Sequence, residues 1–181
     1  MAAGGARLIQ LRDKLASPRD FYESAVESIA AARRLGVRII INDRLDIAMA
    51  AGADGVHLGQ DDLPVEEARR IVGDNWIIGY STHSVEQALA ADFVPVDYIA
   101  VGPVFETSTK ENPDPVIGLD LIREIKSRVS RPLVAIGGIT LARASQVIEA
   151  GADSLAVISD LYSTASIQDR VRSFLEATGS N

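Results

Sequence analysis

Seven short apolar runs punctuate the chain, at residues 8–11, 37–41, 55–58, 77–80, 98–101, 133–136 and 155–158, and the stretches between them carry helical signals. Most of the runs are continuously apolar rather than alternating, the pattern of strands covered on both faces, as parallel strands are. Ser17-Pro18-Arg19-Asp20 combines an N-cap, a first-position proline and an acidic third position ahead of an amphipathic segment that ends near Leu35-Gly36. Ser84 with Gln87 is a second capping-box candidate, Thr140 caps a helix over 141–150, and Pro64 with Glu66 and Glu67 suits a first helical turn. Strict alternation of strands and helices dictates right-handed βαβ units and an all-parallel sheet.

An internal echo narrows the architecture. AGADGVHLG (51–59) resembles AGADSLAVIS (150–159), each a helix end, a glycine-containing turn and a strand. Repeated units favour a barrel over an open sheet, yet a (β/α)8 barrel needs eight strands and seven are legible. The shortage lies at the front, where AAGGARLIQLRDK reads as a helix end feeding a strand, with nothing before it to supply the preceding strand and helix. The expectation is an α/β chain forming one TIM-type barrel domain over 1–181, with seven βα units evident and the first missing; an open seven-stranded sheet is the alternative. If nothing replaces the missing unit, two open strand edges predict poor solubility or self-association.

With 181 residues, 47% of them hydrophobic and 24% charged, the chain can bury a substantial core. It contains no run of about 18 apolar residues of the kind a membrane helix needs. MAAGGARLIQLRDK lacks the basic-then-apolar order of a secretory signal, so a soluble cytoplasmic protein is expected. Zero cysteines exclude disulfides and thiolate chemistry, leaving oxygen donors or the two histidines for any metal and pointing to a hard divalent cation. A net charge of -7 with a pI near 4.8 argues against nucleic acid as a partner. A phosphorylated small molecule would have to be drawn in by local cations, for which Arg12, Lys14 and Lys110 are candidates.

Four polar strings fall directly after strand-like runs: QLRDK (10–14), Asn42-Asp43, GQDD (59–62) and TSTK (107–110). Loops at the carboxyl ends of parallel strands are where β/α enzymes assemble their sites, so an enzyme is expected. The segment 105–116, with Thr107, Ser108 and Thr109 followed by Pro113 and Pro115, is long for a compact domain and suits a lid over that rim. No G-x-G-x-x-G or phosphate-loop spacing follows a strand, so no organic cofactor is expected.

Together IQLRDK, IND, GVHLGQDDLP, GYSTHS, DYIAVGPVFETSTK, VAIGGIT and GADSLAVIS resemble, in order and spacing, the thiamine-phosphate synthase family of TIM-barrel transferases. Each string alone is weak, and their ordered combination is specific. The resemblance implies a reaction joining a pyrimidine diphosphate to a thiazole phosphate, with loss of pyrophosphate and a dissociative transition state. Carried over, it implies Mg²⁺ on Asp43 and Asp62, with Gln10, Leu11, Arg12, Asp13, Lys14, Asn42, Ser81 and Lys110 around the pyrimidine diphosphate. Thr107, Ser108, Thr109, Gly138, Ile158 and Ser159 would then hold the thiazole phosphate. Arg12, Lys14, Ser81 and Lys110 are the implied catalytic set. The chemistry agrees: carboxylates suit Mg²⁺ in phosphate sites, guanidinium forks onto phosphate oxygens, and lysines act as point charges. Small phosphorylated molecules, rather than nucleic acid or a membrane, are the implied partners, with a homo-oligomer as the other association to test.

Simpler readings exist for each motif. Arg12 and Asp13 are also what a surface ion pair at a strand end looks like, and Asp43, Asp61 or Asp62 also suit helix caps, with spacing favouring Asp62 for the metal. Gly137-Gly138 suits a tight turn, and His57 and His83 read as structural, one inside an apolar strand and one beside a cap. Asp46 reads as a helix-start charge, Asp54 as a turn residue and Trp76 as packing. Two rival functions are a thiazole-phosphate tautomerase, which would not need the diphosphate and metal set, and a truncated paralogue that binds without turnover. If Asp62 and Lys110 act as implied, Asp62→Ala and Lys110→Ala should each lower turnover by on the order of 10²-fold or more while circular dichroism stays unchanged; near-normal rates would remove the assignments.

Overall fold

The strand-forming runs close on one another in the order in which they are synthesised. In the computed structural model, which describes residues 1–107 and 114–179, β1 (Leu8–Leu11), β2 (Arg38–Asn42), β3 (Gly55–Leu58), β4 (Ile77–Thr82), β5 (Tyr98–Val101), β6 (Leu133–Ile136) and β7 (Ser154–Ala156) form one parallel sheet in sequence order. Helices α1 (Pro18–Arg33), α2 (Leu45–Ala51), α3 (Val65–Val72), α4 (Val85–Ala91), α5 (Gly118–Lys126), α6 (Leu141–Glu149) and α7 (Ile167–Thr178) alternate with the strands. The N-terminal 3-10 turn Ala2–Gly4 packs on α7, with Gly4 so close to the Gln168 carbonyl and Val171 that no side chain fits there. The sheet therefore curls until its two ends share neighbours, a TIM-barrel-type fold with seven βα units. Among the described residues no helix is long and apolar enough to cross a membrane.

Alternation along each strand sorts the side chains. Leu58, Ile78, Ile99, Val101, Leu133 and Ala135 point outward into a fully buried layer against the helices, and Ile39 and Ile41 join α1 and α2 in a second cluster. Trp76 packs against both clusters, as the packing reading requires. The inward set left by this register includes Gln10, Asn42, His57, Gly79, Ser81 and Tyr98.

Three aspartates pin the register from the amino ends of β3, β5 and β7. Asp54, Asp97 and Asp153 each donate a backbone N–H to the carbonyls of Ile39, Ile78 and Leu133 at 2.8 Å. Each also accepts that same residue's N–H on its own Oδ2 at 2.7 Å. Asp97 and Asp153 are in turn held by Arg69 Nη2 at 2.7 Å and Lys126 Nζ at 2.6 Å. Asp54 is thus the turn residue expected of it and also a clasp between strands, and the AGAD echo marks the same device at Asp153.

Local signals held with small shifts. Ser17 and Ser84 cap α1 and α4, accepting from the Asp20 and Gln87 N–H groups at 3.2 Å. Gln87 returns its bond to the His83 N–H at 2.7 Å, one residue ahead of the cap. Pro64 is the N-cap of α3 rather than inside its first turn, and the expected strand 37–41 is displaced by one residue to Arg38–Asn42. Thr140 precedes α6 but makes no side-chain cap; buried Asp160 instead accepts the Leu141 N–H at 3.3 Å while pairing with Arg170 at 2.9 Å. That anchor also draws the chain into a 3-10 turn at Ser159–Tyr162, so the last strand ends at Ala156, two residues short of the expected 158. Asp97→Ala, which leaves the Ile78 N–H and the Arg69 guanidinium without their carboxylate, should cost about 1–3 kcal/mol in urea denaturation.

Candidate functional site

QLRDK, Asn42-Asp43 and GQDD all reach the carboxyl rim of the sheet, and of TSTK only Thr107 lies among the described residues. Asp43 directly follows β2 with φ 60°, a left-handed conformation that non-glycine residues rarely adopt. Its N–H extends the ladder to the His57 carbonyl at 2.8 Å, and Arg44 N–H closes a tight turn onto the Asn42 carbonyl at 2.7 Å. This kink starts α2 and leaves the Asp43 carboxylate on the rim, where Lys14 Nζ from the β1 loop lies 3.2 Å from Oδ2. The β3 loop brings Asp62, whose Oδ2 accepts the Gly59 N–H at 2.7 Å, within hydrogen-bonding reach of Asp43. Asp61 is exposed, so Asp62 is the member of the pair that joins the rim constellation.

Burial pushes the Asp62 carboxyl above its ordinary value of 3.8, and the neighbouring Asp43 charge adds to the shift, against the Gly59 N–H and Lys14. Two facing carboxylates whose charge is only partly compensated are hard-oxygen donors for a divalent cation. No cluster of three His, Asp or Glu side chains forms among the described residues, so the remaining ligands would be water and ligand oxygens, as is usual for Mg²⁺.

Behind the carboxylates the inward face holds a small polar network. His57 Nε2 lies 2.8 Å from Ser81 Oγ and Nδ1 lies 2.8 Å from Tyr98 Oη, with the Tyr98 ring stacked on the imidazole at 5.6 Å. Burial pushes His57 down to about 4, outweighing the upward pull of Asp62, so the ring is neutral. Gln60 Nε2 donates to the Ser81 carbonyl at 2.6 Å, tying the β3 and β4 loops. His83 donates from Nδ1 to the Gly102 carbonyl at 2.6 Å.

Gln10 sits on the inward face of β1, and Arg12 is exposed on the loop beyond it. Leu11 turns its side chain outward onto the α1–α2 cluster, so only its backbone faces the rim. Asp13 accepts the Leu15 and Ala16 N–H groups at 2.9 Å, which hold its carboxyl below its ordinary value. Gly138, at φ 62°, would drive a Cβ into the Glu106 carbonyl and to 2.8 Å from Phe105. It therefore lets the segment after β5 lie over the end of β6, where Arg143 covers the Phe105 ring at 4.4 Å. Thr107 is half-buried at the end of that segment, and Ile158 and Ser159 are exposed after β7. Ser108, Thr109 and Lys110 lie outside the described residues. The clasp aspartates, the His57–Tyr98 contact and the Asp160–Arg170 anchor escaped the sequence reading; only the AGAD repeat signalled any of them.

A family model described as thiamine monophosphate synthase matches residues 1–161. The chain is 51% identical to the thiamine-phosphate synthase of Koribacter versatilis (strain Ellin345), over 89% of this chain and 76% of that one. It is 50% identical to the thiamine-phosphate synthase of Methanoculleus marisnigri, over 95% and 82% respectively. A thiamine phosphate pyrophosphorylase structure from Pyrococcus furiosus superposes with a TM-score of 0.89 at 37% identity, covering 98% of this chain and 85% of that one.

The raised Asp62 value carries a signed consequence. Folding favours its protonated form, so the associated stability is complete below the ordinary value of 3.8 and is lost as pH rises through the raised value. In buffer free of divalent cations, Asp62→Asn, which keeps an acceptor for the Gly59 N–H, should melt above the parent at neutral pH and level with it below the ordinary value; equal melting at neutral pH would contradict the shift.

Proposed function

The chain belongs to the thiamine monophosphate synthase family, and on that premise we propose how its own residues carry the transferase reaction of thiamine biosynthesis. The observation that carries the proposal is the convergence of Lys14, Asp43 and Asp62 from three successive strand ends onto one point of the rim. The substrates are a pyrimidine diphosphate and a thiazole phosphate, the products thiamine phosphate and pyrophosphate, and the seven βα units work as one catalytic domain in the cytoplasm.

Asp43 and Asp62 would hold Mg²⁺, which when bound supplies positive charge against the diphosphate oxygens. Arg12 forks onto those oxygens, and Lys14, 59% exposed, can swing from Asp43 onto phosphate once the cation takes over the carboxylate. Gln10 and Asn42, on the inward face, orient the pyrimidine, Ser81 near the end of β4 reaches the diphosphate, and the Leu11 and Asp13 backbone lies at the loop entrance. Gly138 and the Ile158-Ser159 turn cradle the thiazole phosphate from the ends of β6 and β7, and Thr107, Ser108, Thr109 and Lys110 complete the two phosphate sites. The bond between the pyrimidine methylene and the diphosphate breaks first, pyrophosphate leaving with the electron pair, and the thiazole nitrogen then attacks the resulting pyrimidine carbocation. No protein nucleophile is required, so the protein acts by orientation and by stabilising charge on the departing pyrophosphate.

Purified chain mixed with both substrates and Mg²⁺ should release pyrophosphate and yield thiamine phosphate by mass spectrometry, with EDTA abolishing both. Turnover that survives EDTA would overturn the metal assignment, and absence of thiamine phosphate would overturn the reaction.

A further inference from the structure

The Ser81, His57 and Tyr98 side chains line up across β4, β3 and β5, and their hydrogens can be placed by elimination. His57 is flanked by two hydroxyls, Tyr98 Oη on Nδ1 and Ser81 Oγ on Nε2, each at 2.8 Å, so its neutral ring donates on one side and accepts on the other. If the proton sat on Nδ1, Tyr98 would accept it, and its own hydrogen would lack an acceptor, because His57 is the only hydrogen-bond partner of that hydroxyl among the described residues. The phenol is packed over Gly79, whose Cβ would overlap the ring and its hydroxyl, and burial pushes the hydroxyl above its ordinary value, so its hydrogen faces protein more than solvent. If the proton sits on Nε2, Tyr98 donates to Nδ1 and Nε2–H donates to Ser81 Oγ. The serine hydrogen is then left over, at a half-buried position on the penultimate residue of β4, on the face toward the barrel mouth. This arrangement leaves the spare hydrogen on the serine at the mouth; the other leaves it on the phenol, where burial makes an unpaired donor costly.

We infer that Tyr98 and His57 are positioning residues that lock the Ser81 hydroxyl as a hydrogen-bond donor toward the mouth, where it meets an oxyanion of the diphosphate substrate. The inference rests on the placement of Ser81 in the diphosphate site proposed above. Gly79 belongs to the same device, since any larger residue there evicts the Tyr98 ring. A donor aimed at charge that grows as the leaving group departs affects turnover more than ground-state binding.

Two measurements test it, and they fail independently. A long-range ¹⁵N–¹H spectrum of histidine-labelled parent protein should show His57 with its proton on Nε2, and Tyr98→Phe, which keeps the ring but removes the donor, should mix or invert that pattern. A proton on Nδ1 in the parent overturns the inference, and this spectrum decides the matter even if Tyr98→Phe fails to fold. In kinetics, Tyr98→Phe should lower kcat about tenfold with a smaller change in KM, and should have no further effect in a Ser81→Ala background. Unchanged kcat in Tyr98→Phe, or equal losses in both backgrounds, overturns the positioning role. A Ser81→Ala protein at parent rates would instead remove Ser81 from the substrate site, and with it the kinetic half of the inference, without touching the proton assignment.

Discussion

Sheet register is the constraint on which the rest of this structure rests. Side chains alternate between the barrel mouth and the helical layer with a period of two, so a slip of one residue would send His57 or Ser81 among the helices and Val56 or Ile78 into the lumen. Evenly spaced parallel ladder bonds repeat along the strand and discriminate poorly between neighbouring registers. The Asp54, Asp97 and Asp153 clasps do discriminate, because each engages both polar backbone groups of one residue on the preceding strand. They act at the amino ends of the strands, leaving the carboxyl rim free for chemistry.

At the two ends of the sheet the same residue type is used in opposite ways. Each clasp carboxylate accepts one backbone N–H with no like charge facing it in these bonds, and Asp97 and Asp153 are also paired with a cation. Asp43 and Asp62 instead face each other, with Lys14 and a single backbone N–H as partial compensation, and Asp43 is held in a left-handed conformation. A strained backbone and a like-charged pair are unfavourable in isolation and are tolerated where a ligand relieves them. That asymmetry, more than the presence of carboxylates, marks the rim as the working face.

Much of this was legible in the chain. Helix α1 declared itself through Ser17, Pro18 and Asp20, and β3, β5 and β6 fell where continuous apolar runs placed them, because capping and burial on both faces leave local signatures. Less legible were features that depend on distant partners. Asp160 ends the last strand early and caps α6 because Arg170, in a different helix, neutralises it. Leu11 reads as part of a polar motif yet turns outward, because the register of β1 on β2 decides its face. Tyr98 reads as a strand aromatic, and only the bare backbone of Gly79 on the adjacent strand lets its ring reach His57.

The sequence by itself determined the alternation of strands and helices, the parallel sheet, the helix starts and the side of the sheet on which the charged strings gather, because periodicity, capping and the direction of a parallel strand are local properties of the chain. The tertiary structure alone decided that Asp62, which spacing had favoured, sits against Asp43 and Lys14, that three aspartates hold the register, and that His57 links Tyr98 to Ser81. Those outcomes depend on distances between strands, which pairing and curvature set and no local pattern records.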